Sequence, residues 1–443
     1  MSQLLIAFYG DDFTGSTDAL EQLTLAGIRT VLFIEPPTPA RLKQVPNLQA
    51  VGVAGMTRAM TPAAMKRELP SALGKLKKLG ARHVHYKVCS TFDSSPEIGS
   101  IGCVIDIASK IFHASLVPLL VAAPTLGRFT IFGTHFARYG IGSKGGVYRL
   151  DRHPSISKHP VTPMTEADLR LHLAKQTKKK IALFDILKMM LPEKQARAEL
   201  NKLLGEKPNV VLFDALYAEH LPRIGGLIDG FATARRPLFS VGSSGIETAL
   251  AKLWKKKKTP GRKAGRTSQI LIGSGSCSPV TLEQISWALK RGFAGVPLDA
   301  NALISSKTGP AAIESAVNTA TKFLRSGRSV ILFTCKGSPD KRIATKFKNR
   351  TAEILGTALG KALRDILKQS SVRRVCVAGG DTSSYAARAL GIEALEMIAP
   401  LTPGAPLCRA YAPDSPVNGR GIIFKGGQVG GENYFEIIKR GRA

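Results

Sequence analysis

The chain has 443 residues, with 63 Lys and Arg against 32 Asp and Glu, a formal charge of +31, and 44% hydrophobic residues. Its length exceeds what one core usually supports, so two domains are expected, and no apolar stretch approaches the ~18 residues of a membrane-spanning helix. Much of the positive charge lies in runs at residues 75–78, 178–180 and 255–258, with no interleaved aromatic residues to stack on bases; this reads as a solvated surface and argues against a nucleic-acid partner.

The N-terminus lacks a basic region ahead of its apolar residues, so those residues are read as a strand and not a signal peptide, which implies a cytoplasmic address. The apolar run 4–8 leads directly into Tyr9-Gly10-Asp11-Asp12-Phe13-Thr14-Gly15-Ser16-Thr17-Asp18 and then an amphipathic stretch. A strand, a loop with two adjacent acids and a helix place Asp11 and Asp12 at a strand end, where open α/β sheets bind ligands. Neighbouring acids repel, and a cation, a backbone N–H or a substrate hydroxyl would relieve them. A metal nucleotide or a polyol is therefore the expected ligand.

Further strand-like runs lie at residues 50–54, 83–88, 116–122, 210–214 and 238–241. Residues 254–267, WKKKKTPGRKAGRT, then replace apolar periodicity with charge, Pro and Gly, as a linker does. Beyond it, runs at 270–273, 329–334, 374–378 and 421–424 alternate with helical segments, including 279–291 and 351–368. The expected fold class is α/β with two domains, each a mostly parallel sheet flanked by helices: 1–254, a basic linker 255–267, and 268–443. Cys89, Cys103, Cys277, Cys335, Cys376 and Cys408 show no C-x-x-C spacing, so reduced thiols are expected and zinc is not.

The second half carries three glycine-rich turns, each after a predicted strand. Gly273-Ser274-Gly275-Ser276-Cys277-Ser278-Pro279 opens a helix, with Ser278 at the N-cap and Pro279 first in the helix. Gly379-Gly380-Asp381-Thr382 repeats the design, and Lys425-Gly426-Gly427 adds a cation. Small residues let an oxyanion approach free amides at a helix start, so together the turns read as a phosphate cradle. No Walker A string and no full G-x-G-x-x-G fingerprint is present.

YGDDFTGSTDAL, GMTRAM at residues 55–60, GSGSCSPVT, AGGDTSS and FKGGQVGGENYF, in this order and spanning nearly the whole chain, resemble the four-carbon acid sugar kinase family. The resemblance implies an acid-sugar-binding N-terminal domain, an ATP-binding C-terminal domain, and phosphoryl transfer in the cleft between them, with Mg2+ accompanying the ATP. It implies Asp12 as the base for a terminal sugar hydroxyl, with Asp11 orienting it, and Arg58 gripping the substrate carboxylate through a two-bond fork. Ser276, Gly379, Gly380, Asp381, Thr382 and Gly427 would contact the nucleotide, with Lys425 beside its phosphates; a homodimer is also expected.

Where many members of that family read K-x-D-S-T-L-R-G-N, this chain has Lys87-Val88-Cys89-Ser90-Thr91-Phe92-Asp93-Ser94-Ser95. Cys89 replaces an acid and Asp93 replaces a cation, which alters charge beside a bound acid. Lys87, Ser90, Thr91 and Asp93 stay candidate substrate contacts. The variant resembles the branch associated with RuBisCO-like proteins, which implies a branched or oxo acid sugar such as 3-oxo-isoapionate. His135, His153 and His159 fall in a Gly- and Pro-broken stretch, 133–163, that could form a lid. The competing readings are an ATP-dependent ligase using the same cradle and a non-enzymatic secreted effector or nucleic-acid-binding protein using the basic surface.

Overall fold

The apolar run after residue 4 becomes the strand β1 (Ile6–Gly10), every residue of which is buried. A strand covered on both faces reads as unbroken hydrophobics, and β1 also pairs in parallel along both of its edges. The computed structural model describes residues 4–140, 145–159, 161–233, 236–254, 264–305, 307–335 and 351–442. They form two compact units, one drawn mainly from the residues up to 254 and one mainly from those after 264.

The first unit has a sheet built from β1, β2 (Thr30–Phe33), β3 (Ala50–Ala54), β4 (His83–Lys87) and β5 (Val117–Leu120), together with three strands from later in the chain. A separate antiparallel sheet follows β5 in sequence: β6 (Arg128–Ile131), β7 (Thr134–Arg138) and β8 (Val147–Arg149). The main sheet is completed by β9 (Ile181–Phe184), β10 (Val210–Phe213) and β11 (Leu238–Gly242), in the order β2-β3-β1-β4-β11-β5-β10-β9. The stretch considered as a lid thus begins as this small sheet. Residues 141–144 and 160 within it lie outside the described residues.

Register decides what this sheet presents. Gly10 is level with Ala54 of β3 and Lys87 of β4, and Lys87 is level with Gly242 of β11. Four parallel strands therefore end together, and the residues that follow each of them share one edge.

The second unit orders its strands β13-β14-β12-β15-β18-β17-β16, with β12 (Leu271–Ser274), β13 (Ala294–Pro297), β14 (Val330–Phe333), β15 (Arg374–Ala378), β16 (Ala394–Thr402), β17 (Ala405–Tyr411) and β18 (Gly421–Lys425). Five of these strands are parallel. The sheet is mostly parallel, as expected, and the exceptions are β16 and β17, which form an antiparallel hairpin, with β17 also antiparallel to β18. The turn Pro403-Gly404 is responsible, with Gly404 at φ +80°. Again the ends are level, Ser274 with Phe333 and Ala378, and Ala378 with Lys425.

Of the expected linker, residues 255–263 lie outside the described residues. Its last residues are packed: Thr267 N donates to Lys439 O at 2.9 Å, and Arg374 Nη2 donates to Gly265 O at 2.7 Å. Among the described residues no helix is long and apolar enough to cross a membrane, and the six cysteines are free thiols.

Candidate active site

Asp12 ends the loop after β1 and is the N-cap of α1 (Phe13–Leu25). Its Oδ1 accepts from Gly15 N at 2.8 Å and its Oδ2 from Thr14 Oγ1 at 2.7 Å. Arg58 Nη1 lies 2.7 Å from the same Oδ2. Arg58 is brought there by a single turn of 3-10 helix, Thr57–Ala59, which follows β3. Its backbone N–H donates to Asp11 O at 3.0 Å, and Thr57 Oγ1 sits 2.6 Å from Tyr86 Oη. The two candidate residues are thus locked together by main chain as well as by charge.

Asp11 has a different environment. Its Oδ2 is 3.4 Å from Cys89 N, and its buried Oδ1 has no hydrogen-bond partner. Burial, reinforced by the charge of Asp12, pushes its carboxyl up to about 7. Burial acts on Asp12 too, but the Arg58 charge and the Thr14 hydrogen bond outweigh it and hold that carboxyl below the usual range. Two adjacent acids are separated in this way, one ionised and one near its midpoint at neutral pH.

The other expected substrate contacts are drawn to the same edge but differ in access. Lys87 is 1% exposed, its Nζ donating to Val88 O at 2.9 Å and lying 3.8 Å from Asp18 Oδ2. A Cβ placed on Gly15 would be 3.1 Å from that Nζ, so Lys87 sits beneath the first turn of α1. Burial opposes its charge, yet Asp18, Glu247, Asp11 and Asp12 together keep its pKa above the ordinary value. In the loop after β4, Cys89 Sγ is 2.9 Å from Thr91 Oγ1, which donates to Asp93 Oδ1 at 2.9 Å. Phe92 is held at φ +56°, an uncommon conformation for a bulky side chain. Ser90 is buried, and its carbonyl lies 2.9 Å from His135 Nε2.

His135 is therefore a supporting residue: its Nδ1 is 2.8 Å from Thr130 Oγ1, and burial drives its pKa down to about 3. The turn after β11, Gly242-Ser243-Ser244-Gly245, supplies a residue that sequence reading passed over. Glu247 is fully buried, both its oxygens lack hydrogen-bond partners, and burial pushes its carboxyl up to about 8. His85 Nε2 lies 3.7 Å from it. Arg128 was also passed over; it is buried, its charge faces Cys89 and Asp93, and its Nη1 donates to the carbonyls of Leu126, Gly127 and Arg138. So many unmet acceptors, with Asp11 Oδ1 and Asp18 Oδ1 among them, call for donors that water or a hydroxylated ligand supplies.

In the second unit the three turns converge. Thr281 Oγ1, on the helix Pro279–Leu289, is 3.0 Å from Ser276 Oγ and 3.0 Å from Gly427 O, and accepts from Lys425 Nζ at 3.0 Å. Gly379 N donates to Lys425 O at 2.9 Å. Gly379 adopts φ +122°, open to glycine alone, and a Cβ there would lie 2.9 Å from Thr382 Oγ1 and 3.3 Å from Ser276 N. A Cβ on Gly427 would lie 3.0 Å from Ser276 Oγ. Gln284 Nε2 reaches the carbonyls of Val429, Gly430 and Gly431 at 2.9, 3.0 and 3.0 Å. Gly380 opens the helix Gly380–Ala389, whose first turn contains Asp381, exposed, and Thr382, buried. Lys425 supports this cradle from within: its ammonium is buried, which lowers its pKa to about 8. Two helix starts beside these turns, with side chains absent where a ligand must come close, suit a polyphosphate.

Residues 6–250 match the family described as a sugar-binding N-terminal domain, and residues 271–435 match a nucleotide-binding C-terminal domain. A protein of Paraburkholderia graminis named 3-oxo-isoapionate kinase is 43% identical across 99% of this chain and 95% of its own. The chain belongs to the four-carbon acid sugar kinase family. It is a kinase of small acid sugars. Proteins named 3-oxo-tetronate kinase, from Methylobacterium radiotolerans and Salmonella typhimurium, are 29% and 28% identical and align over at least 98% of both chains. The fold recurs in solved structures of a Salmonella typhimurium LT2 protein, with a TM-score of 0.76 at 24% identity over 99% of both chains, and of a Haemophilus influenzae protein, with a TM-score of 0.69 at 22% identity over 98% of this chain and 99% of that one.

Proposed function

We propose that this kinase transfers the terminal phosphoryl group of ATP to a terminal hydroxyl of a branched or 3-oxo acid sugar of the 3-oxo-isoapionate type. The observation that carries the site reading is the 2.7 Å contact of Arg58 with Asp12. It keeps an ionised carboxylate at the strand edge, ready to accept the hydroxyl proton, with a guanidinium beside it for the substrate carboxylate. Asp11, near half protonation at neutral pH, donates to or orients the same hydroxyl. Ser90, Thr91 and Asp93 line the substrate, and Lys87 holds the acids from beneath.

The sugar class is supported by the 43% identical relative and by the Cys89-to-Asp93 loop. An acidic side chain at residue 93 accepts a hydroxyl and repels a second carboxylate, which favours an extra hydroxymethyl group over a plain acid terminus.

The cradle of Ser276, Gly379, Gly380, Thr382 and Gly427 takes the ATP phosphates, with Lys425 adding positive potential from below. Among the described residues no group of three His, Cys, Asp or Glu is placed to hold a metal. A Mg2+ ion carried mostly by phosphate and water would take Asp381, the carboxylate of the cradle, as its protein contact. When bound, the ion would neutralise charge on the transferring phosphoryl group. We place the reaction in the cytoplasm, where ATP is available and thiols stay reduced.

An ADP-release assay over four- and five-carbon acid sugars tests the reading. The highest kcat/KM is expected for 3-oxo-isoapionate, and a preference for a simple tetronate would overturn the substrate class. Release of AMP or of free phosphate without a sugar phosphate would overturn the transfer itself.

A further inference from the structure

Cys277 directly follows Ser276 in the first turn of the cradle, and Cys335 lies two residues beyond the end of β14. The parent strands β12 and β14 are neighbours, with Ser274 level with Phe333 and Thr334 N donating to Ser274 O at 3.0 Å. Adjacent strands run ~4.8 Å apart, so the loops that leave these two level strand ends start side by side. The two sulfurs are hydrogen-bonded to each other, and both residues are only half-buried.

We propose that Cys277 and Cys335 form an oxidative modification site, joined by peroxide into a disulfide that ties the 274–278 turn to the end of β14 and weakens nucleotide binding. This regulatory role rests on the reading of that turn as part of the ATP cradle.

The chemistry follows from the shared proton. Cys277 donates its S–H to Cys335, so Cys335 is the sulfur that ionises more easily, its pKa falling below the ordinary thiol value while that of Cys277 rises. The Cys335 thiolate attacks one oxygen of hydrogen peroxide, breaking the O–O bond and releasing hydroxide, and becomes a sulfenic acid. The Cys277 sulfur then attacks that sulfur, an S–S bond forms, and hydroxide leaves with the Cys277 proton as water. Overall, two thiols and one peroxide give one disulfide and two waters. Selectivity has a structural basis: Cys103, Cys376 and Cys408 are buried, and burial pushes the Cys89 and Cys376 thiols up to about 12.

The bond would act on nucleotide binding through geometry. Ser276 Oγ is 3.0 Å from Thr281 Oγ1, and the turn must keep its amides directed at a ligand. A covalent tie at the next residue draws the turn toward the end of β14 and redirects those amides away from the ligand.

The test treats the full-length chain with hydrogen peroxide, maps peptides without reduction, and measures ATP affinity by calorimetry before and after. A crosslinked 277–335 peptide, a tenfold or greater loss of affinity, recovery with dithiothreitol, and no response in Cys335→Ser are expected. Absence of that peptide overturns the site, and a crosslinked chain with unchanged ATP affinity overturns its regulatory role. A folded, reduced chain that binds no ATP would overturn the nucleotide reading and the regulation together, whereas the crosslink is read independently of both.

Discussion

Arg58 and Asp12 share one short contact, Nη1 to Oδ2 at 2.7 Å, in a place where both side chains are mostly withdrawn from water. In the proposed mechanism the guanidinium therefore serves the base as well as the substrate. Arg58→Ala should raise the KM for the acid sugar about tenfold or more and lower kcat as well, because Asp12 loses the charge that holds it ionised. The acid limb of the kcat/KM profile should move to higher pH, since a carboxyl relieved of its cation protonates earlier. Steady-state kinetics from pH 5 to 8 read both effects, and a change in KM alone with an unmoved limb would separate Arg58 from the base.

Asp12→Asn keeps the helix cap, because Asn caps about as well as Asp. Melting and ATP binding should stay close to those of the parent while turnover falls by about two powers of ten or more. Asp11→Asn resembles the protonated acid and should lose less than about tenfold. Single-turnover rates decide between them, and the opposite ranking would exchange the two roles.

Glu247 gives a pH signature in stability. Its folded pKa of about 8 stands above the usual carboxylate value. From about pH 4 upward the unfolded chain releases this proton while the folded chain retains it, so the contribution present below pH 4 declines until the pH passes about 8. Glu247→Gln should flatten that decline and raise Tm by about a few degrees at pH 8 relative to the parent. Melting curves at pH 5 and 8 check it; equal slopes in both chains would mean that the carboxyl is charged in the fold.

In the second unit Thr281 joins two turns and receives Lys425. Thr281→Val removes the hydroxyl at nearly constant volume, leaves a buried ammonium short of an acceptor, and should weaken ATP about tenfold with a lower Tm. Gly427→Val should weaken ATP at least as much with a smaller change in Tm, because its side chain enters the space beside Ser276. Calorimetry and thermal melts on the two variants distinguish lost support from a filled cradle.

Much of this was readable in the sequence. The acids after β1 and the three glycine turns stand out because strands ending level must show their following residues along one edge, and Gly, Ser and Asp at those places are chemically conspicuous. Gly242-Ser243-Ser244-Gly245 has the same signature and was legible in principle; it leads to Glu247. The unequal environments of Asp11 and Asp12 were not legible, since they depend on which carboxylate Arg58 reaches. Nor was the burial of Lys87, whose ammonium looks from sequence like a substrate contact and lies in the fold beneath α1. The β16–β17 hairpin hides inside a long apolar run, betrayed only by Pro403-Gly404.

Gln284 has one amide group facing three successive carbonyls of the last glycine-rich turn, at 2.9 to 3.0 Å. A segment with four glycines would ordinarily sample many shapes, and a ligand would have to quench them on arrival. Here a single side chain has quenched them beforehand, so on the proposed reading of this turn nucleotide would meet a surface already shaped for it and more of the contact energy would survive as affinity.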